Sequence, residues 1–235
     1  MTDRTIPPLS KRLSAAADLV RHGARIADIG TDHAYLPIRL TLEKKISFAL
    51  ACDIVDGPLQ SAKKNIAAFG LDGKSIMTLK TDGLHGVEEY RPEDILICGM
   101  GGELIARIIS ESEYVKDPGV SLILQPMSRE EKLRLFLADN GFVIPDERIV
   151  SEGGKLYQII LARWDGIKRD ISPAEALLGA INIKNGTREF YLLLDKKIKA
   201  LCKQINGLRK AGREDAASLS LLAELESYKQ DKDQK

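Results

Sequence analysis

Through the first two thirds of the chain, short apolar runs alternate with segments of helical or loop character. Arg25–Ile29, Ile46–Ile54 (ISFALACDI), Ser75–Lys80 (SIMTLK), Asp94–Cys98 (DILIC) and Val120–Leu124 (VSLIL) are nearly continuous in apolar character. Strands covered on both faces of a parallel sheet read this way, because neither side of the pleat meets water. Helical spacing fits Leu9–His22, Pro58–Phe69, Glu103–Ser110 and Arg129–Asn140, and Asn140-Gly141 is a natural helix stop. The pattern then changes at Phe142–Val150 and Leu156–Trp164. They are joined by Ser151-Glu152-Gly153-Gly154-Lys155 and read as an antiparallel hairpin.

Beyond Trp164 the pattern changes in kind. Tyr191, Leu194, Ile198, Leu201, Ile205 and Leu208 recur at spacings of three and four, the seam of a coiled coil. Asn206-Gly207 and Ala211-Gly212 are expected to break that helix, and Ala216–Tyr228 offers a second amphipathic stretch with Leu221, Leu225 and Tyr228. An antiparallel helical hairpin follows, with Pro173–Ile183 as an extra helix packed on the sheet domain. Two domains are expected, 1–165 and 166–235.

Composition narrows the setting. At 235 residues the chain suits one well-cored domain and a smaller appendage. No run of about 18 apolar residues occurs, and Met1–Arg12 carries prolines and charges, so neither membrane insertion nor secretion is expected. Cys52, Cys98 and Cys202 are far apart and read as reduced thiols of a cytoplasmic protein. No C-x-x-C or paired-histidine spacing suggests a metal site. The net charge of +1 is uninformative, but its distribution is not. Between Lys184 and Arg213 stand nine cations, Lys184, Arg188, Lys196, Lys197, Lys199, Lys203, Arg209, Lys210 and Arg213, against Glu189 and Asp195 alone. Such a stripe can track a phosphate backbone. It is equally what a solubilising outer face looks like. Gln230–Lys235 reads as a frayed charged tail.

The ends of the apolar runs carry the chemistry. Asp28-Ile29-Gly30-Thr31-Asp32-His33 closes the first strand with one glycine, two carboxylates and an imidazole. Ligands of open parallel sheets collect at such strand ends. A pyrophosphate cradle needs three glycines as G-x-G-x-x-G, whereas a ligand with an amino group and positive charge meets Asp28 and Asp32 at favourable sign. That favours S-adenosyl-L-methionine over a nicotinamide dinucleotide. Alone, the two carboxylates also read as solvated turn and cap residues.

The remaining ends supply polar groups in order. Asp53, about 20 residues past the glycine turn, suits both ribose hydroxyls and also suits a helix cap. Thr81-Asp82-Gly83 offers an acceptor for an adenine amine, though Asp-Gly is a common turn. Gly99-Met100-Gly101-Gly102 lets a ligand lie against the backbone or simply makes a tight turn. Gln125-Pro126-Met127 ends the fifth strand with an amide able to donate and accept. His22 and His85 have no constellation around them.

Asp28-Ile29-Gly30-Thr31-Asp32-His33-Ala34-Tyr35-Leu36-Pro37, Thr81-Asp82-Gly83-Leu84, Gly99-Met100-Gly101-Gly102 and Leu124-Gln125-Pro126-Met127 together resemble the bacterial tRNA adenine-N1 methyltransferases that modify adenine 22. The likeness extends from Leu9-Ser10-Lys11-Arg12-Leu13 to the terminal helices. It implies an α/β, Rossmann-like class I methyltransferase sheet of parallel strands ending in an antiparallel hairpin, with a C-terminal α-helical coiled-coil hairpin that helps to hold tRNA. It also implies S-adenosyl-L-methionine as methyl donor and tRNA as substrate; separately, a monomer is expected. Carried over by position, the cofactor set is Asp28, Gly30, Asp32, His33, Leu36, Asp53, Ile54, Asp82, Gly83, Leu84, Gly99, Met100, Gly101, Gly102 and Gln125. The RNA-contacting set is Lys11, Arg12, Lys196, Lys197, Lys199, Lys203, Arg209, Lys210 and Arg213. One position departs from the pattern: the family often has Glu-Asn or a similar polar pair at the second strand end, where this chain has Asp53-Ile54, so a second ribose contact is lost.

Methyltransferases acting on exocyclic amines commonly place an Asn/Asp-Pro-Pro-aromatic turn after the fourth strand. Gly99–Gly102 stands there instead, which suits a ring nitrogen whose lone pair needs no deprotonation. Asp32 is the candidate for stabilising the cation that forms on a flipped adenine, and His33 for a polar contact with cofactor or base. His33 equally well hydrogen-bonds its own turn, and Tyr35 is a stacking surface or a core aromatic. Two rivals stay open: a small-molecule methyltransferase with a dimerising coiled coil, and a non-catalytic RNA-binding protein on the same fold.

Overall fold

In a computed structural model the chain is described over residues 8–71 and 73–230. Residues 1–7 of the proline-bearing opening, and the charged tail after Gln230, lie outside the described residues. The chain divides into two compact units, Met1–Arg169 and Asp170–Lys235.

The first unit runs α1 (Lys11–Leu19), β1 (Arg25–Ile29), α2 (Tyr35–Leu42), β2 (Phe48–Asp53), α3 (Asp56–Ala68), β3 (Ile76–Lys80), β4 (Asp94–Gly101), α4 (Gly102–Ser110), β5 (Ser121–Ser128), α5 (Glu130–Asp139), β6 (Phe142–Glu152) and β7 (Lys155–Trp164). The seven strands form one sheet in the order β3-β2-β1-β4-β5-β7-β6, with β1 to β5 parallel and β6 and β7 antiparallel. Strand order reverses between β1 and β4, which makes their carboxyl ends the natural crevice for a ligand. This is a Rossmann-like methyltransferase sheet ending in a hairpin.

The two faces of the pleat build two separate cores. Ala27, Ile29, Leu50, Ile95, Ile97, Leu122 and Leu124 belong to one, while Ile26, Ala49, Ala51, Leu96 and Ile123 belong to the other. Alternate residues of each strand point to opposite faces, so a continuous apolar run serves both. In the hairpin, Gly153 and Gly154 both take positive φ, 55° and 75°, as a two-residue turn of matching twist requires. Pro145, which cannot donate to the ladder, falls where the β6–β7 register shifts between Val143 and Asp146 on the edge strand. Pro126 does the same inside the sheet. The β4–β5 pairing slips between Cys98 and Met100, and Gly99, at φ +82°, is left without a register partner.

Helix α2 is absent from the sequence reading. Pro37 sits in its first turn, where no backbone N–H is needed, and Leu36, Pro37, Ile38 and Leu40 are all buried, so its only polar positions, Arg39 and Thr41, fall within one turn of an eight-residue helix and are too few to reveal its period.

The second unit holds α6 (Pro173–Leu178), α7 (Ala180–Asn185), α8 (Arg188–Lys210) and α9 (Ala216–Gln230). Three expectations are corrected here. The single helix over Pro173–Ile183 is two short helices interrupted at Gly179 (φ +89°), and α6 packs on α8 and α9. Asn206-Gly207 does not break α8, because that helix continues to Lys210 and ends at Ala211-Gly212. The buried face of α8 is Phe190, Leu193, Leu194, Leu201 and Ile205, shifted from the expected seam. The α8–α9 pair is antiparallel: Lys229 donates to Asp195 at 2.7 Å, and Gln204 lies 3.5 Å from Ser218.

Candidate active site

The turn after β1 is fixed from both sides. The amides of Gly30 and Thr31 both donate to the Cys52 carbonyl of β2, at 2.9 and 2.8 Å. Gly30 has φ +73°, and a Cβ there would lie 2.3 Å from the Met100 methyl, so the absent side chain lets β4 close over the turn. The next two residues that depart from ordinary geometry are not glycines: His33 and Ala34 take φ +58° and +56° in succession. Asn65 of α3 donates to the His33 carbonyl at 3.0 Å and Ala34 is fully buried, which holds the loop in this costly shape.

Asp28 is 8% exposed and accepts the Thr31 hydroxyl at 2.7 Å. Burial pushes its pKa up to about 6, the Thr31 bond opposes this, and the charges of Asp32 and Asp53 add to it. The Cys98 thiol is pushed up to about 12, chiefly by burial with Asp28 adding to it, so it stays protonated. Asp32, by contrast, reaches into solvent with its side chain 88% exposed, 3.2 Å from His33 Nε2, and His33 stacks on Tyr35 at 5.5 Å.

At the ends of β1 to β4 a hollow of about 220 Å³ is lined by Ile29, Gly30, Asp53, Ile54, Thr81, Asp82, Gly83, Met100, Leu104, Arg107 and Ile108. Six of the carried-over cofactor residues therefore meet: Gly30, Asp53, Ile54, Asp82, Gly83 and Met100. Asp53 Oδ1 accepts from the Val55 amide at 2.7 Å, which orients its carboxylate at the strand end. Ile54 and Leu104 are 57% and 40% exposed, two apolar faces on one hollow.

Other carried-over residues stand elsewhere. Leu36 and Leu84 are packed into the two cores, 4% and 5% exposed, and neither lines the hollow. Gly102 is buried where α4 meets the backbone of the β5–α5 connection, and a Cβ there would fall 2.4 Å from the Arg129 carbonyl oxygen. Its glycine is a packing requirement. Gly101 lies beside Ser128. Gln125 is fully buried with both amide ends engaged: Oε1 accepts from Arg12 Nη1 at 2.6 Å, and Nε2 donates to the Pro126 carbonyl at 2.8 Å. Gly99 is exposed.

Leu104, Arg107 and Ile108 were not foreseen. They share one side of α4, and Arg107 lies 3.6 Å from Asp82 across the hollow. The available signal was Leu104, an apolar residue one step off the buried Ile105–Ile108–Ile109 face.

Among the basic candidates, Lys11 donates its backbone N–H to Glu152 at 2.6 Å. On α8 the cations do not form one stripe. At 3.6 residues per turn, Lys196, Lys199, Lys203 and Lys210 fall within about 60° of one another, while Lys197 and Arg209 fall on other sides. Lys199, Lys203 and Lys210 border a shallow hollow of about 560 Å³ with Ile198, Cys202, Asn206 and Gly207. Arg209 and Arg213 instead border a small hollow with Asp215 and Leu219 at the turn into α9.

Comparison with known proteins places this arrangement. Residues 9–160 match the methyltransferase domain family. The tRNA (adenine(22)-N(1))-methyltransferase of Bacillus subtilis is 40% identical over 166 residues, 68% of this chain and 69% of that protein. The crystal structure of the B. subtilis m1A22 tRNA methyltransferase superposes with a TM-score of 0.79 at 32% identity, covering 94% of this chain and 95% of that one. A Streptococcus pneumoniae protein crystallised in complex with S-adenosyl-L-methionine gives 0.82 at 35% identity, covering 94% and 99%. The M. capricolum relative in complex with S-adenosyl-homocysteine gives 0.77 at 28%, covering 94% and 96%. By its sheet, its strand-end motifs and these relatives, the chain belongs to the tRNA (adenine(22)-N(1))-methyltransferase family.

Proposed function

We propose that the protein is an S-adenosyl-L-methionine-dependent tRNA methyltransferase that modifies N1 of adenine 22. The observation that carries the reading is the hollow at the β1–β4 strand ends, where Gly30, Asp53, Ile54, Asp82, Gly83 and Met100 converge at the reversal of strand order. The residues fit such a cofactor. Gly30 brings the β1 turn to the hollow without a side chain, Asp53 suits ribose hydroxyls, and Ile54 and Leu104 offer apolar surfaces for a flat base. At about 220 Å³ the hollow is below the roughly 300–1,000 Å³ usual for whole-ligand pockets. It suits the adenosine part, leaving the amino-acid part to the Gly30–His33 turn, where Asp28 and Asp32 favour its positive charge.

When bound, S-adenosyl-L-methionine supplies an electrophilic methyl group. The residues of this chain then position the acceptor and answer the charge that develops on it. Adenine N1 needs no base to expose its lone pair, which agrees with the Gly99–Gly102 stretch where the exocyclic-amine enzymes place a polar turn. Methylation leaves the adenine cationic, and the exposed Asp32 carboxylate is the group suited to stabilise it. His33, 3.2 Å away, orients that carboxylate. The lysine face of α8 is suited to the phosphate backbone of the tRNA.

The test is transfer of a labelled methyl group to unmodified bulk tRNA followed by nucleoside analysis. Label in 1-methyladenosine at position 22 supports the reading. Label confined to small molecules, or none with cofactor bound, overturns it.

A further inference from the structure

Four elements of the first unit meet at a point outside the cofactor hollow. Arg12 of α1 donates from Nη1 to the buried Oε1 of Gln125 at 2.6 Å, and its guanidinium lies over the Tyr157 ring of β7, 5.8 Å from the centroid. A Cβ on Gly99 of β4 would lie 3.7 Å from that same Nη1. Gly99 is the exposed residue that the Pro126 slip leaves unpartnered. Its neighbour Met100 lines the hollow, so the Arg12 guanidinium stands beside the stretch where methyl donor and acceptor must meet.

Its anchoring is unusual for a surface cation. A fully buried amide and an aromatic face restrict a half-buried side chain that would otherwise sample many rotamers. A guanidinium has five donors and is always charged, and the bond to Gln125 uses one of them. Sign then decides what it can receive. N1-methylation makes the adenine a cation, so a fixed positive charge against the base would oppose the product. The phosphodiester of the same nucleotide is an anion and suits the fork geometry of arginine.

We propose that Arg12, held by Gln125 and Tyr157 beside Gly99, is a positioning residue of the acceptor site that grips the phosphodiester flanking the target adenine. The proposal rests on the tRNA-methyltransferase reading and adds to it the group that places the extruded nucleotide. Gln125 is then not a cofactor ligand: it is the buried post to which Arg12 is tied.

The experiment compares the wild-type protein with Arg12→Gln and Arg12→Lys. Methyl transfer to unmodified tRNA is followed as kcat and KM, tRNA binding is measured across salt, and S-adenosyl-L-methionine affinity is measured by calorimetry. Arg12→Gln is expected to raise the KM for tRNA about tenfold. It should lower the log–log salt slope by about 0.7–0.9 and leave cofactor affinity within about twofold. Arg12→Lys should restore the slope. An unchanged slope and KM in Arg12→Gln, or an equal loss of cofactor affinity, overturns the proposal. Should Arg12→Gln fail to fold, phenylglyoxal labelling of the wild-type protein decides. Protection of Arg12 by tRNA but not by cofactor supports the proposal, and labelling unchanged by tRNA overturns it. Loss of the broader reading would look different: the wild-type protein itself would then form no 1-methyladenosine.

Discussion

Asp28 and Asp32 stand four residues apart, yet their surroundings assign them opposite work. Asp28 is buried and its pKa is raised to about 6, so between about pH 4 and 6 the folded state holds a proton that the unfolded state releases. Stability contributed by this group is therefore present below about pH 4 and falls as pH rises towards 6, by about 3 kcal/mol in all. Asp28→Asn, which still accepts the Thr31 hydroxyl, removes that dependence. Urea unfolding should show the variant gaining on the wild type as pH goes from 4 to 7. A cationic cofactor favours the carboxylate form, so wild-type affinity for S-adenosyl-L-methionine is expected to rise from pH 5 to 7 and that of Asp28→Asn to stay flat, as calorimetry can follow. Asp32 instead reaches into solvent. Asp32→Ala should cut kcat at least tenfold while the cofactor dissociation constant moves less than threefold, because its partner is the charge that appears only on reaction. Equal losses in both would make Asp32 a binding residue. The sequence placed both carboxylates at the strand end, since motif and strand are contiguous. It was silent on Arg107 and gave for Leu104 only an apolar residue off the buried face, because both reach the hollow from a helix whose register only packing decides.

Helix α4 separates packing glycines from binding glycines. Gly99, Gly101 and Gly102 look alike in sequence, but only at Gly102 would a Cβ meet backbone on another segment, at 2.4 Å. Gly102→Ala is expected to cost about 1–3 kcal/mol, read as a lowered melting temperature, with cofactor affinity of the folded protein unchanged. The basic helix α8 separates its charges in the same way. Replacing Lys199, Lys203 and Lys210 by Gln should lower the salt slope of tRNA binding by about 2–3, whereas Lys197→Gln with Arg209→Gln should change it little. The parallel strands were legible because burial on both faces leaves an uninterrupted apolar signature, and the hairpin because a glycine-bearing loop joins its two runs. Helix α2 was illegible because it is short and mostly buried, with Arg39 and Thr41 its only polar positions. The continuation of α8 through Asn206-Gly207 shows intrinsic helix preference overridden, since buried Leu201 and Ile205 lie just before it and the helix runs on to Lys210.

Across the whole molecule, a net charge of +1 conceals a division of labour. Carboxylates gather at the strand ends of the first unit, where a cationic donor and a base that becomes cationic must be received. Lys196, Lys199, Lys203 and Lys210 gather on one face of a helix in the second, the face proposed to meet the polyanion. The family relationship reaches across both, as the coverage of 94% by solved relatives requires. The left-handed pair His33–Ala34 carries a backbone cost that the Asn65 bond and the burial of Ala34 offset. Each such non-glycine residue costs roughly 1–3 kcal/mol, released if the loop relaxes. A population selected for heat resistance alone would accordingly drift at this loop, trading a strained imidazole for a relaxed turn, and its survivors would be sturdier proteins and poorer catalysts.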